Sequence, residues 1–334
     1  MGRERQNIYG RKKDVNYVVL DLEWNQPDKS ELVNPDLPFE IVEVGAILLN
    51  EDRQVIGEFT QIVKPVVYSE MNRITGKLIQ LHTKELKYGK SFTETMKDFF
   101  EWCGENYIFC TWGTQDLTEL QRNMKYHGMP PLATRPFPYL DVQKLFSIAF
   151  EEERKVRRSL EYAVDFLQIE QDIPFHRAFS DAYYTAKVMG EIKEVFVFEN
   201  YSYDVFHVPT RREDEVNVLF HDYAKYISRE FEDKTAAMQD REVISTRCYL
   251  CKKNLRKKIR WFAANPKHFY SISVCDKHGL MKGKIRLKKS ENGIYVVKTQ
   301  KFISQEEADE IIAKRDHIRE LRREKRKAGT ANKK

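Results

Sequence analysis

Apolar residues come in short runs at the start of the chain and in helical stripes after that. "NYVVLD", Asn16 to Asp21, is a compact apolar run with adjacent valines and reads as a buried strand. "FEIVEVGAILLN" (39–50) and "QVIGEFTQIVKP" (54–65) follow, rich in β-branched residues and separated by a turn at "NEDR". Three strands with short connections predict an antiparallel meander. Helical spacing then takes over. Phe92, Met96, Phe99 and Phe100 share a face of "SFTETMKDFFEWC", with Ser91 as N-cap and Glu94 three residues on. "YIFCTWG" (107–113) is a further buried strand. "TQDLTELQRNMKYHG" reads as a helix closed by Gly128. "RPFPYLDVQKLFSIAF" starts extended because of its prolines and turns helical near Asp141. "SLEYAVDFLQI" (159–169) is amphipathic, and Ala182, Ala186, Met189 and Ile192 stripe a last helix.

This order predicts an α/β domain with a mixed sheet, ending near residue 198. In 199–245, a connector, Val216, Leu219, Phe220, Tyr223 and Ile227 have helix spacing. A small domain follows over 246–304. In it "KGKIRLKKSENGIYVVKT" alternates and turns at "ENG", predicting a hairpin with a basic face. Residues 1–15 form a basic tail. Residues 305–334 are charged and helix-prone, with "AGTANKK" expected to fray.

Composition narrows the class. The 334 residues are 41% hydrophobic and 32% charged, ordinary for a soluble globular protein with room for two cores. No run approaches ~18 apolar residues, so no membrane span is expected. The polar, basic start lacks a signal-peptide core, and Gln6 breaks the myristoylation pattern. Five cysteines, an odd number, argue against a disulfide framework; a cytoplasmic location is the expectation. Charge is uneven. Residues 247–289 hold fourteen Lys/Arg against Asp276 alone, so this segment carries +13 and leaves −7 for the rest of a chain of net +6. With Trp261, Phe262, Phe269 and Tyr270 interleaved, a nucleic-acid partner is favoured over a merely solvated face.

Candidate chemistry starts with Asp21 and Glu23 at the end of the first strand. Two residues apart on an extended chain, they project to one face. Paired carboxylates repel unless a cation sits between them, and oxygen donors suit Mg²⁺ or Mn²⁺. Asp116 lies where a strand turns into a helix. Asp181 opens another helix, five residues after His176. All four acids stand at strand ends or helix starts, where open α/β sheets place their sites. Glu40 and Glu43 read as supporting residues nearby.

"VVLDLEWN", "EIVEVGAILL", "TWGTQDLTEL" and "HRAFSDAYYTA" together resemble the DEDDh family of 3′–5′ exonucleases, within the RNase H-like fold, over about 16–195. The flanks are most similar to the branch containing KapD-like bacterial proteins and the eukaryotic exonucleases that trim histone-mRNA and small-RNA ends. The resemblance implies an RNase H-like mixed five-stranded sheet with flanking helices over 16–198. It places the family's acids at Asp21, Glu23, Asp116 and Asp181, and its histidine at His176. It further implies two-metal hydrolysis that removes nucleotides from the 3′ end of RNA or single-stranded nucleic acid. Asp21 would bridge two Mg²⁺ or Mn²⁺ ions, and His176 would be the general base. Trp24 departs from the family, where a smaller residue, often Thr, is expected; it is either a stacking face for the terminal base or a packed strand-end residue. A proofreading-type DNA exonuclease would use the same chemistry. A non-catalytic nucleic-acid-binding regulator on a vestigial nuclease fold is the remaining alternative, and the intact set of acids with a histidine weighs against it.

Cys248 and Cys251, a 23-residue gap, then Cys275 and His278 have the ligand count of one closed tetrahedral zinc site in a zinc-ribbon-like domain. The competing reading, a Cys248/Cys251 redox pair, needs a βαβ context that is not evident. Cys103 and Cys110 read as core thiols. Around the zinc site Lys252, Lys253, Arg256, Lys257, Lys258 and Arg260 are candidate phosphate contacts.

Overall fold

The computed structural model describes residues 15–331 apart from positions 80, 82 and 154. Most of the expected basic N-terminal tail and the last three residues of "AGTANKK" lie outside them. The chain divides into two compact units at His207/Val208.

The first unit is a six-stranded sheet flanked by helices. Its strands are β1 (Asn16–Asn25), β2 (Glu40–Leu49), β3 (Val55–Ile62), β4 (Tyr107–Thr111), β5 (Phe137–Asp141) and β6 (Ser202–Asp204), in the order β3-β2-β1-β4-β5-β6. β1 to β3 are the expected antiparallel meander. β4 and β5 run parallel to β1, and β6 returns antiparallel to β5. The helices are α1 (Arg73–Ile79), α2 (Thr83–Leu86), α3 (Phe92–Cys103), α4 (Gln115–Tyr126), α5 (Val142–Phe150), α6 (Leu160–Phe166), α7 (Ala178–Glu191) and α8 (Glu194–Glu199). The mixed α/β class holds, with one strand more than the five expected. Three residues are too few to show a period of two, so β6 leaves no pattern in the sequence. It is tied in by its pairing with β5 and by Gln121 Nε2, which donates to Asp204 Oδ1 at 3.0 Å. The first unit therefore runs past residue 198.

Local chemistry sets several helix starts. Ser91 and Glu94 form the expected capping box on α3. Asp141 caps α5 and Ser159 caps α6. The α3 stripe, Phe92, Met96 and Phe99, packs with Val18, Leu20, Leu22, Phe109, Leu117 and Leu120 in the main core. β1 is thus buried by α3 and α4, which fixes which of its residues face the core.

The second unit is another six-stranded sheet, all antiparallel: β7 (Val216–Leu219), β8 (Tyr223–Ile227), β9 (Arg256–Ala263), β10 (His268–Cys275), β11 (Gly279–Lys289) and β12 (Ile294–Phe302), in the order β7-β8-β12-β11-β10-β9. α9 (Lys234–Gln239) and α10 (Gln305–Ala331) complete it. The β11–β12 hairpin turns at "ENG" as expected. The helical connector does not form over 216–227. These residues are a hairpin, with Val216 opposite Ile227 and Leu219 opposite Ala224. Apolar residues three and four apart fit a helix face, but folded back on themselves they also pair across a tight turn. The β-branched and aromatic content and the β8–β12 ladder decide for the strand. No helix among the described residues is long and apolar enough to cross a membrane.

Candidate active site and cysteine–histidine cluster

β1 carries Asp21 and Glu23 on one face, opposite Gly45 and Glu43 of β2. The register shifts between Glu23 and Trp24, a bulge that ends the regular pairing just past the two acids. α7 brings in Asp181. Its first turn lies directly on β2 at Gly45, where a Cβ would sit 2.1 Å from the Ala178 carbonyl carbon and the Phe179 nitrogen. Only glycine permits that approach. Asp21, Glu23 and Asp181 therefore converge, with one carboxylate oxygen of each within 4.8 Å of the others. Asp116, in the first turn of α4, is buried beside them and accepts from the backbone amides of Leu22 and of itself.

The electrostatics show four acids forced together. Burial, then Asp116, Asp181 and Glu23, push Asp21 well above the usual carboxylate range. Burial and then Asp181 push Glu23 up to about 8, against the opposing pull of Arg177. Burial raises Asp116 to about 7 and Asp181 to about 6. Such a cluster is tolerated when cations share it. An oxygen-only donor set suits a hard divalent ion. The residues present fit that group.

His176 has φ 68°, and its backbone amide donates to Asp181 Oδ1 at 3.2 Å. Its ring is half-exposed, with Nδ1 4.0 Å from Glu161 Oε1. Arg177 and Glu161 were not singled out from sequence. Arg177 makes a two-pronged bond to Glu43, Nη2 to Oε1 at 2.7 Å and Nε to Oε2 at 2.9 Å. Glu43 also accepts from the Ala178 amide, so it holds the start of α7. The signal for Arg177 was its place beside His176; the signal for Glu43 was its parity on β2. Register alone puts it opposite Glu23. Glu40 accepts from the amides of Val66, Val67 and Tyr68 and is structural. Trp24 is half-buried against the main core, 5.9 Å from Phe39 between ring centroids.

In the second unit Cys248, Cys251, Cys275 and His278 converge within 4.8 Å. The first pair sits in a tight turn, where the Cys248 amide donates to the Lys253 carbonyl and the Lys252 amide to the Cys248 carbonyl. The second pair sits at the β10–β11 turn, which Gly279 closes at φ 87°. Cys251 Sγ and Cys275 Sγ are 3.7 Å apart, too far for a disulfide. Tetrahedral bonds of ~2.3 Å to sulfur and ~2.0 Å to nitrogen would put sulfurs ~3.8 Å and sulfur and nitrogen ~3.5 Å apart. Cys248 and Cys275 lie 3.4 and 3.5 Å from His278 Nδ1. The cluster fits one such ion. The sheet of this unit is antiparallel throughout, so the βαβ context that the redox-pair reading needs is not there. Cys103 and Cys110 are buried, and burial pushes the Cys103 thiol up to about 12. Lys252, Lys253, Arg256, Lys257, Lys258 and Arg260 are all exposed, the last four on the edge strand β9. Such charges also discourage edge-to-edge pairing.

A sequence model of the exonuclease family matches residues 18–189. The chain belongs to the exonuclease family. It is thus a nuclease, a phosphodiester hydrolase, and the carboxylate cluster lies within the matched span. Among solved structures, the nuclease domain of 3′hExo, described as a DEDDh family member bound to rAMP, aligns at 16% identity and TM-score 0.49, covering 57% of this chain and 98% of that one. A 3′-exonuclease described with a histone mRNA stem-loop aligns at 15% identity and TM-score 0.46, over 54% and 81%. E. coli exonuclease I with single-stranded DNA aligns at 14% and 0.43, over 55% and 42%. No curated protein matches the chain.

Proposed function

We propose that this exonuclease removes nucleotides from the 3′ end of RNA by divalent-metal-dependent hydrolysis, and that its second unit is a zinc-stapled anchor for nucleic acid. The observation that supports the reading most is the meeting of Asp21, Glu23 and Asp181, with Asp116 beside them, at one end of β1. Asp21, Glu23, Asp116 and Asp181 would hold Mg²⁺ or Mn²⁺. When bound, two such ions supply charge to activate water and to stabilise the leaving oxygen. His176 takes a proton from the attacking water at Nε2, its Nδ1 side facing Glu161. The water oxygen bonds to phosphorus, the bond from phosphorus to the 3′ oxygen of the penultimate nucleotide breaks, and that oxygen takes a proton from solvent, to which His176 returns the one it accepted. Trp24 is the proposed stacking face for the terminal base. RNA is the substrate class favoured by the motif flanks. The proposed branch is that of KapD-like and RNA-end-trimming exonucleases. Cys248, Cys251, Cys275 and His278 would hold one structural zinc, which supplies folding energy that a small domain lacks. Lys252, Lys253, Arg256, Lys257, Lys258 and Arg260 give this unit phosphate contacts.

The test is a time course on end-labelled RNA and DNA. Laddering from the 3′ end of RNA is expected, lost in EDTA and restored by Mg²⁺ or Mn²⁺. Asp21→Asn or Asp181→Asn should abolish it, and His176→Ala should slow it by about 10²–10⁴-fold. Undiminished laddering by Asp21→Asn/Asp181→Asn would refute the assignment.

A further inference from the structure

β1 is held unevenly along its length. Over Tyr17–Val19 it pairs with β2 on one side and β4 on the other. From Leu20 to Asn25, where Asp21 and Glu23 stand, only the β2 ladder continues, and its register shifts between Glu23 and Trp24. On the β4 side the Leu22 amide donates to Asp116, itself one of the four acids. Beyond Glu23, Trp24 packs on the main core and on Phe39. The acids crowded at this end repel one another until cations offset them, and that repulsion acts on the end of the strand.

Asn25 completes the row begun by Asp21 and Glu23. The residue skipped at the register shift is Val42 of β2, so β1 keeps its alternation and Asn25 leaves the strand on the face of the two acids. It is fully buried. Its Nδ2 donates to the carbonyls of Tyr68, at 3.1 Å, and Glu70, at 2.9 Å, and its Oδ1 accepts from the Asn72 amide at 2.9 Å. Directly opposite on β2, Glu40 accepts from the amides of Val66, Val67 and Tyr68. Two facing side chains thus satisfy six backbone groups of the irregular segment 66–72. Asn72 passes the hold on, because its Oδ1 accepts from the amides of Ile74 and Thr75 at the start of α1. The Asn25 set needs two donors and an acceptor on one short side chain, which an amide has and a carboxylate lacks.

We propose that Asn25 is a positioning residue, which anchors the site end of β1 to segment 66–72 and so keeps Glu23 within reach of Asp21 and Asp181 before an ion binds. The proposal deepens the metal-dependent reading of the carboxylate cluster and rests on it. Such preorganisation shows in ion affinity, since a cluster that must first be gathered binds more weakly.

The experiment measures Mn²⁺ binding by the full chain from the electron paramagnetic resonance of the free ion, with Asp21→Asn/Asp181→Asn as the background. Asn25→Ala should weaken the binding that this pair removes by about 10–100-fold. Asn25→Leu, which fills the space but makes none of the bonds, should act in the same direction. RNA cleavage by either variant should fall at low Mn²⁺ and return toward the natural kcat at saturating Mn²⁺. Circular dichroism melts run alongside. A lower melting temperature with unchanged Mn²⁺ affinity would make Asn25 merely structural and overturn the proposal. If neither variant folds, hydrogen exchange of the ion-free natural chain decides. The Asn72 amide should then be as protected as the core of β1, and exchange at the rate of an open loop overturns the anchor. Absence of Mn²⁺ binding by the natural chain would defeat the metal reading and this inference with it. Binding that is present and equal in both Asn25 variants defeats the inference alone.

Discussion

Two buried charges illustrate opposite solutions to one problem. Glu43 is 1% exposed, and the Arg177 fork and the Ala178 amide satisfy it. It therefore serves as a clamp between β2 and the start of α7. Lys298, 3% exposed, has less. Its Nζ donates to the Glu242 carbonyl, while the Glu242 carboxylate stays 3.9 Å away and the Tyr226 ring lies 5.0 Å off. Burial lowers it to about 8, against the opposing pull of Glu242, Asp240 and Glu215. The sign follows from proton counting. Below pH 8 both folded and unfolded chains carry the proton, and the folded state bears the full cost of a buried charge. Between about 8 and the ordinary lysine value the unfolded chain still holds its proton while the folded one sheds it, so stability rises with pH. Compared with Lys298→Met, the natural chain should gain about 3 kcal/mol across that window, read from denaturant midpoints at matched pH. A difference that stays flat with pH would contradict this placement of the charge. Glu43 was legible only as a supporting residue and Lys298 not at all, because period-two alternation says which face a residue takes but not what covers that face.

At the scale of elements, α7 is placed by a single missing side chain. Gly45→Ala must push the α7 backbone off β2, since no flexible side chain is there to give way. The expected cost exceeds the ~1–3 kcal/mol of ordinary overpacking. Asp181 would move away from Asp21 at the same time, so nuclease activity should fall beyond what the melting temperature explains. A variant that melts lower yet cleaves at the natural rate would show that α7 does not set the site. Most elements of the first unit were legible in the sequence. The meander, α3 with its capping box and the acids at element ends all follow from local preference and period. β6 and the β7–β8 hairpin were not legible. Three residues carry no period, and the spacing of Val216, Leu219, Phe220, Tyr223 and Ile227 serves helix and hairpin alike until β12 supplies a partner for β8.

At the scale of the molecule, the division at His207 determines where the chain can be cut. Truncation after His207 should leave a soluble unit that still cleaves short substrates. Truncation after residue 245 should instead aggregate, because it keeps β7–β8 and removes β12, exposing an unpaired edge. Size-exclusion profiles of the two fragments check this. Equal solubility would mean that the hairpin does not need the second sheet.

The amino-acid sequence by itself determined the residue types, the alternation of β1 and β2, the positions of the acids and the pairing of soft ligands around a basic segment. Those depend on neighbours a few residues away, where strand and helix geometry are fixed. Only the tertiary structure decided that Glu43 faces Glu23, that Arg177 clamps the start of α7, and that Gly45 meets the Ala178–Phe179 backbone. Register and this close approach join residues far apart in the chain. What selects them is the packing of whole elements against one another, which no local pattern encodes.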